Sequence, residues 1–312
     1  MPHDYVFGTL GLMTEQERCA IQVDYTKPVW EVYREFMHRL LLDGKAWTPL
    51  LLSLISFVKE TDYPSWIPDL SAQNNVLDHT GHLLSSDTCF KELEGVRLSE
   101  NGDVLMLQGI IVDSVAEVNL MAEDSSELRK DLVRLRDART IPGAEKDYPP
   151  SAVVAASKGE LAYRLFTANS LRRRLRGVDS RLLNFCWDVA TDIDKKDLWR
   201  SDSKWGLGPL DHHPTLTLKS VMHHLLHCAV STCRGRKLIH TESGIRGIAV
   251  PNTEVGDVIV CLYGFNMALA LRPRKNHYII IGAVHLAGLM DWTVLSTCLH
   301  EGLLTEATFR IR

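Results

Sequence analysis

The chain has 312 residues, of which 45% are hydrophobic and 24% charged, with a formal net charge of -4. That balance excludes a disordered or fibrous chain and allows a sizeable core with room for a pocket. A net acidic chain with pI near 6.4 also argues against a general nucleic-acid binder, which carries a basic excess.

Seven cysteines, at positions 19, 89, 186, 228, 233, 261 and 298, form no CxxC pair and predict thiols in a reducing compartment. The Met1-Pro2-His3-Asp4 start lacks the basic and apolar regions of a signal peptide. The most apolar run, Leu50 to Val58, is about nine residues, against the roughly twenty that a membrane helix needs. The expectation is a cytoplasmic protein with no membrane span and no nucleic-acid partner.

In chain order, Thr26 and Pro28 read as an N-cap and an early-turn proline opening a helix to about Leu42, with Gly44 beyond it. Val29, Val32, Tyr33, Phe36, Met37, Leu40 and Leu41 give it an apolar face at helical spacing. Thr48-Pro49 repeats the signal for a second helix through Val58, so the pair predicts an αα-hairpin ending at the Pro64 turn. Residues 70 to 100 are polar and without period, which reads as a loop crossing. A strand follows at Val104, Met106 and Leu107, continuing through Ile110, Ile111 and Val112.

From 125 to 233 the period changes to a helical one, carried by Leu128, Leu132 and Leu135, by Leu161 and Leu165, by Leu182 and Val189, and by Val221 and Leu225. Pro142-Gly143 and Pro149-Pro150 separate the first of these helices from the second. The period then returns to short β-rich runs between Gly235 and Asp291, punctuated by Gly, Pro, Asn and Asp. Val258 to Leu262 is a continuous apolar run suited to a strand buried on both faces. Leu269 to Leu271 stops at Arg272-Pro273, residues 278 to 281 form the next strand, and Gly282 and Gly288 mark bends. The fold class expected is α+β: a small antiparallel β-barrel-like unit from 101–118 and 235–295, with a helical hairpin within 1–70 and a large helical insertion at 125–233. All of it reads as one domain, 1–312.

These stretches also carry a resemblance. Gly235-Arg236-Lys237-Leu238-Ile239-His240-Thr241-Glu242-Ser243-Gly244, Gly256-Asp257-Val258-Ile259-Val260, Leu271-Arg272-Pro273, Tyr278-Ile279-Ile280-Ile281-Gly282 and Gly288-Leu289-Met290-Asp291 follow one another in the order seen in the tail of fungal heterokaryon incompatibility (HET) proteins. Upstream, Pro64-Ser65-Trp66-Ile67-Pro68-Asp69 is similar to that family's proline-serine-tryptophan signature, and Asp24-Tyr25-Thr26-Lys27-Pro28-Val29 to the segment after its effector domain. The resemblance implies that Asp4 to Leu12 is only the last strand of the N-terminal HET domain, whose remainder is missing. Two departures stand out. Met290-Asp291-Trp292-Thr293 replaces the family's Met-Asp-Gly-Glu, and His285-Leu286-Ala287 replaces its tyrosine-valine-histidine.

Candidate chemistry is sparse. His223 and His227, at i and i+4, could present two nitrogens to zinc, but no Glu lies between them and no ligand spacing completes the set, so helix-face histidines are the simpler reading and no metal is expected. The Arg172, Arg173, Arg174 and Arg176 cluster reads as a solvated helix face, and Cys186, Cys228 and Cys261 as core thiols. No phosphate loop, serine elbow or dinucleotide fingerprint appears, so no cofactor is expected.

What remains lies around the β unit. His285, Thr241 and Tyr263 are the candidate catalytic donors, and Trp292, His240, Asp291 and Arg272 the candidate substrate contacts. For Trp66, Asp69, Arg272 and Asp291 the competing reading is structural, because the family pattern keeps them. Two functions from different classes follow. One is a cofactor-independent cyclase of fungal secondary metabolism, for example an intramolecular [4+2] cycloaddition of a terpenoid or polyketide, acting on a small apolar substrate by confinement and hydrogen bonding. The other is a non-catalytic interaction fragment of the incompatibility (programmed cell death) system.

Overall fold

The computed structural model describes residues 1–15, 18, 21–42, 63–71, 96–121, 232–265, 267–286, 289 and 292–312. The second helix expected at 48–58, the crossing through 72–95, the helical insertion up to 231, the histidine pair, the arginine cluster and Asp291 lie outside the described residues.

The chain begins with α1 (Asp4–Phe7) and a 3-10 turn (Leu10–Leu12). This corrects the strand expected over Asp4 to Leu12. The Phe7 and Gly8 amides bond back to the His3 and Asp4 carbonyls at 2.9 and 2.8 Å, and the turn buries Val6, Phe7 and Leu10, a spacing that only a helical backbone can put on one side. Helix α2 (Val29–Leu42) is where the sequence placed it, and it buries Val32, Tyr33 and Met37. Thr26, however, turns its amide and hydroxyl onto the Asp24 carboxylate at 2.8 and 2.6 Å, an Asx turn that leads into Pro28 rather than a cap on the helix itself. The Tyr33 hydroxyl donates to the Pro2 carbonyl at 2.8 Å and so fastens α1 to α2.

Eight strands make one sheet: β1 (Arg97–Leu98), β2 (Leu105–Leu120), β3 (Lys237–Thr241), β4 (Arg246–Ala249), β5 (Val258–Leu262), β6 (Ala268–Pro273), β7 (Tyr278–Leu286) and β8 (Thr305–Ile311). A further helix, α3 (Trp292–His300), lies between β7 and β8. The order is β1-β2-β3-β4-β7-β6-β5, and β5 pairs with β2 again, so the sheet closes in a ring. Pairing is antiparallel apart from one parallel bridge, Tyr278 with Ile311.

The ring depends on β2. Its first half pairs with β8 along seven positions, its middle with β5 and its last part with β3, and the ladder slips between Ile111 and Asp113 and between Val115 and Glu117. Such slips bend a strand, which lets one 16-residue element serve these three partners as well as the short β1. A third irregularity falls at Ala270/Leu271 opposite Gly282, whose φ of 148° is a conformation that side chains disfavour.

Alternation sorts the side chains into two cores. Ile110, Ile239, Ala249, Ile259, Cys261, Tyr263, Ala268, Ala270, Val284 and Leu286 face inward, where Leu295 and Cys298 of α3 and Leu304 join them. Leu105, Leu107, Val260, Leu262, Leu269, Leu271 and Phe309 face outward against α1, α2 and Trp66.

Candidate functional site

Register fixes what the β3–β4–β7 part of the ring shows on its outer face. Leu238 lies opposite Ile248, and Ile248 opposite His285, so these three side chains share one side. Two residues along β3, His240 lies opposite Arg246 on the same side, with Glu117 of β2 next to it. Two residues the other way, Arg236 continues the series, its carbonyl accepting the Met121 amide at 2.8 Å. Leu238, Ile248, Met121 and Cys233 are all buried here, yet they belong to neither the inner nor the outer described core.

Polar groups in this patch are poorly served. His285 is 2% exposed, and its Nδ1 has no hydrogen-bond partner among the described residues. Burial, with a smaller push from the Arg236 charge, lowers its pKa to about 4, so the imidazole is neutral at physiological pH. Arg236 is 3% exposed and both its terminal guanidinium nitrogens lack partners among the described residues. Burial lowers its pKa to about 10, which still leaves it cationic near neutrality. The neighbouring Cys233 thiol is pushed up by burial, so no thiolate compensates that charge. The hydroxyl of Thr232, fully buried, also lacks a partner among the described residues.

The residues singled out in the sequence divide between this patch and other places. His285 and His240 are on it. His240 has its pKa lowered by burial and by Arg246, and although Glu117 lies 3.4 Å from Nδ1, the contact lacks hydrogen-bond geometry. Thr241 is on the inner side at the β3–β4 turn, where its hydroxyl oxygen accepts the Ile245 amide at 3.0 Å. Tyr263 is buried in the inner core and donates its hydroxyl to the Glu306 carboxylate of β8. Trp292 opens α3 and packs on the inner core, the opposite face of β7 from His285.

Arg272 is held in a network of its own. Its Nε and Nη2 reach the two Asp257 oxygens at 2.9 and 3.2 Å, Nη2 the Asn252 carbonyl at 2.8 Å, and Nη1 lies 3.1 Å from Glu254. The sequence named Arg236 only as part of the opening turn of the β unit. Its signal was the period-two series Arg236, Leu238, His240, which puts an arginine on the same side as a buried leucine.

Among the described residues no group of three His, Cys, Asp or Glu side chains could hold a metal ion, and no helix is long and apolar enough to cross a membrane. The chain matches no family model, no curated protein and no solved structure.

Proposed function

We propose that this chain is a small-molecule enzyme of the cyclase or isomerase type, one that holds a largely apolar substrate against the outer face of β3, β4 and β7 and polarises its carbonyl through His285. The observation that carries the reading is the buried Nδ1 of His285, which has no partner among the described residues and shares its face with the aliphatic side chains Leu238 and Ile248. An orphaned polar atom in such surroundings costs about 1–3 kcal/mol, and a substrate oxygen or donor that pairs with it recovers that cost at the reacting centre.

A neutral imidazole can donate from one ring nitrogen and accept at the other. Activating a carbonyl toward cyclisation, such as an intramolecular [4+2] cycloaddition, requires only one such bond and a folded substrate conformer. Leu238 and Ile248 supply the apolar wall against which the substrate folds. The rewritten His285-Leu286-Ala287 and Met290-Asp291-Trp292 stretches favour chemistry over the family's usual role.

Incubating the purified protein with a fungal metabolite extract and following masses and retention times tests this. Wild type is expected to convert a component to an isomer of unchanged mass, and His285→Leu to lose conversion about 10²–10³-fold, the range for one oxyanion-hole donor, while keeping its melting temperature. Rates should be flat from about pH 6 upward, because His285 is already neutral there. Retention of an intact protein partner with no conversion of any component would favour the incompatibility-fragment reading instead.

A further inference from the structure

We propose that Arg236, with the Thr232 hydroxyl and the His285 ring, forms an internal receptor for a single anionic group, a carboxylate or a phosphate, carried by the small molecule that this site binds. The inference rests on the proposed function only for the bound molecule being a substrate; the binding itself can be measured without turnover.

Three buried polar side chains belong to the β3–β4–β7 face and to the turn that leads into β3, and none is satisfied by the described residues. Their placement follows from register. Arg236 lies two residues along from Leu238, and Leu238 is two strands from His285 through Ile248. At about 3.4 Å per residue and about 4.8 Å per strand, the Arg236 and His285 backbones are roughly 12 Å apart. A long arginine and an imidazole on one face close most of that gap, and the Arg236 charge is felt at His285. Thr232 is held near by the turn in which the Arg236 amide donates to the Cys233 carbonyl at 3.1 Å.

The charge demands a partner. A guanidinium stays protonated in proteins, and removing it from water without an anion is among the costliest arrangements a fold can hold. Among the described residues no carboxylate pairs with Arg236, whereas Arg272, only partly buried, is surrounded by Asp257, Glu254 and a backbone carbonyl. Among the described residues, one arginine is thus paired with its own acids and the more deeply buried one with none. An incoming carboxylate or phosphate would accept from both terminal nitrogens and from the threonine, the two-pronged geometry in which arginine binds such groups best.

Calorimetric titration of the wild-type chain with dodecanoate, dodecyl phosphate, dodecanol and inorganic phosphate tests the assignment. Binding of one of the two anionic amphiphiles, at least ten-fold tighter than dodecanol, is the expected result, and whichever anion is preferred identifies the headgroup. Arg236→Met should abolish that preference while keeping or raising the melting temperature, since it replaces an unpaired buried charge with an apolar side chain of similar length. If Arg236→Met does not fold, Thr232→Val carries the test, with an expected loss of at least three-fold in anion affinity and none for dodecanol. Equal binding of dodecanol and the anions, no binding of any, or an unchanged anion preference in the variant would overturn the proposal. Anion binding without conversion of any metabolite would leave the receptor standing and remove the enzyme reading; conversion of a neutral metabolite without anion binding would do the reverse.

Discussion

At the scale of single residues, His285 sets a measurable acid sensitivity. Its pKa is about 4 in the folded chain and 6.5 in the ordinary state, so between those values the unfolded chain binds a proton that the folded chain does not. Stability therefore rises with pH across that window and is flat above it as far as this group is concerned, with about 3 kcal/mol as the full span. His240, also lowered by burial, has the same sign. Urea unfolding from pH 4 to 7 should show the slope in wild type and a shallower one in His285→Leu; identical slopes would mean that the imidazole takes up its proton without hindrance in the fold. Sequence could single out His285 by its departure from a family pattern, but not its burial. Nor does it show which side chains share its face: Ile248 and Leu238 are set beside it across two ladders, and register of this kind is decided by strands 37 to 47 residues apart, not by local pattern. Arg272 is the converse case, since Gly256-Asp257 and Leu271-Arg272 were both visible as motifs while the ion pair between them needed the β5–β6 hairpin to form.

At the scale of elements, closure of the ring turns on the place where β2 meets β5. Gly109 pairs with Leu262 there, and a Cβ added to it would lie 2.6 Å from the Cys261 carbonyl oxygen and 2.9 Å from the Leu262 Cα. Both are backbone atoms of a paired strand and cannot swing aside as a side chain would. Gly109→Ala should thus destabilise by about 1–3 kcal/mol, the usual cost of overpacking, with the loss concentrated at the β2–β5 seam. Hydrogen exchange is the measurement: amides of β5 should lose protection before those of β3, and uniform loss would show that the seam is no weaker than the remainder. The strands β5, β6 and β7 were legible because glycine and proline fence them, and α2 because its apolar period is unbroken. Strand β8 is hard to see in the sequence although Ala307, Phe309 and Ile311 alternate, since two of the positions between or beside them, Glu306 and Arg310, are charged and the run is short. The resemblance alone implies a strand where α1 lies; four residues hold no full period that would point to a helix instead, and contacts with α2 decide its form.

At the scale of the whole molecule, the Pro64–Asp69 segment is where separate parts of the chain are joined. The Ser65 hydroxyl donates to the Arg312 carbonyl at 2.5 Å and accepts the Ile280 amide at 3.0 Å, so one side chain bridges the segment, the last residue and β7. Trp66 is 1% exposed, donates from its indole to the Asp103 carbonyl at 3.2 Å, and belongs to the outer core together with Val32, Tyr33 and Met37 of α2 and Leu105, Leu107 and Phe309 of the sheet. Helices and ring therefore share one core through this residue, and they should unfold together. Trp66→Ala removes the largest side chain in that core and is expected to cost about 3–5 kcal/mol, as for other buried aromatics, whereas Ser65→Ala, which only unmakes two hydrogen bonds, should cost about 1–3 kcal/mol. In both variants far-ultraviolet dichroism and the fluorescence of the remaining tryptophans should report one coincident transition, because neither change divides the core. Two separated transitions in Trp66→Ala would show instead that the indole couples two independently folded bodies, with the ring and its β3–β4–β7 face surviving the loss of the helices.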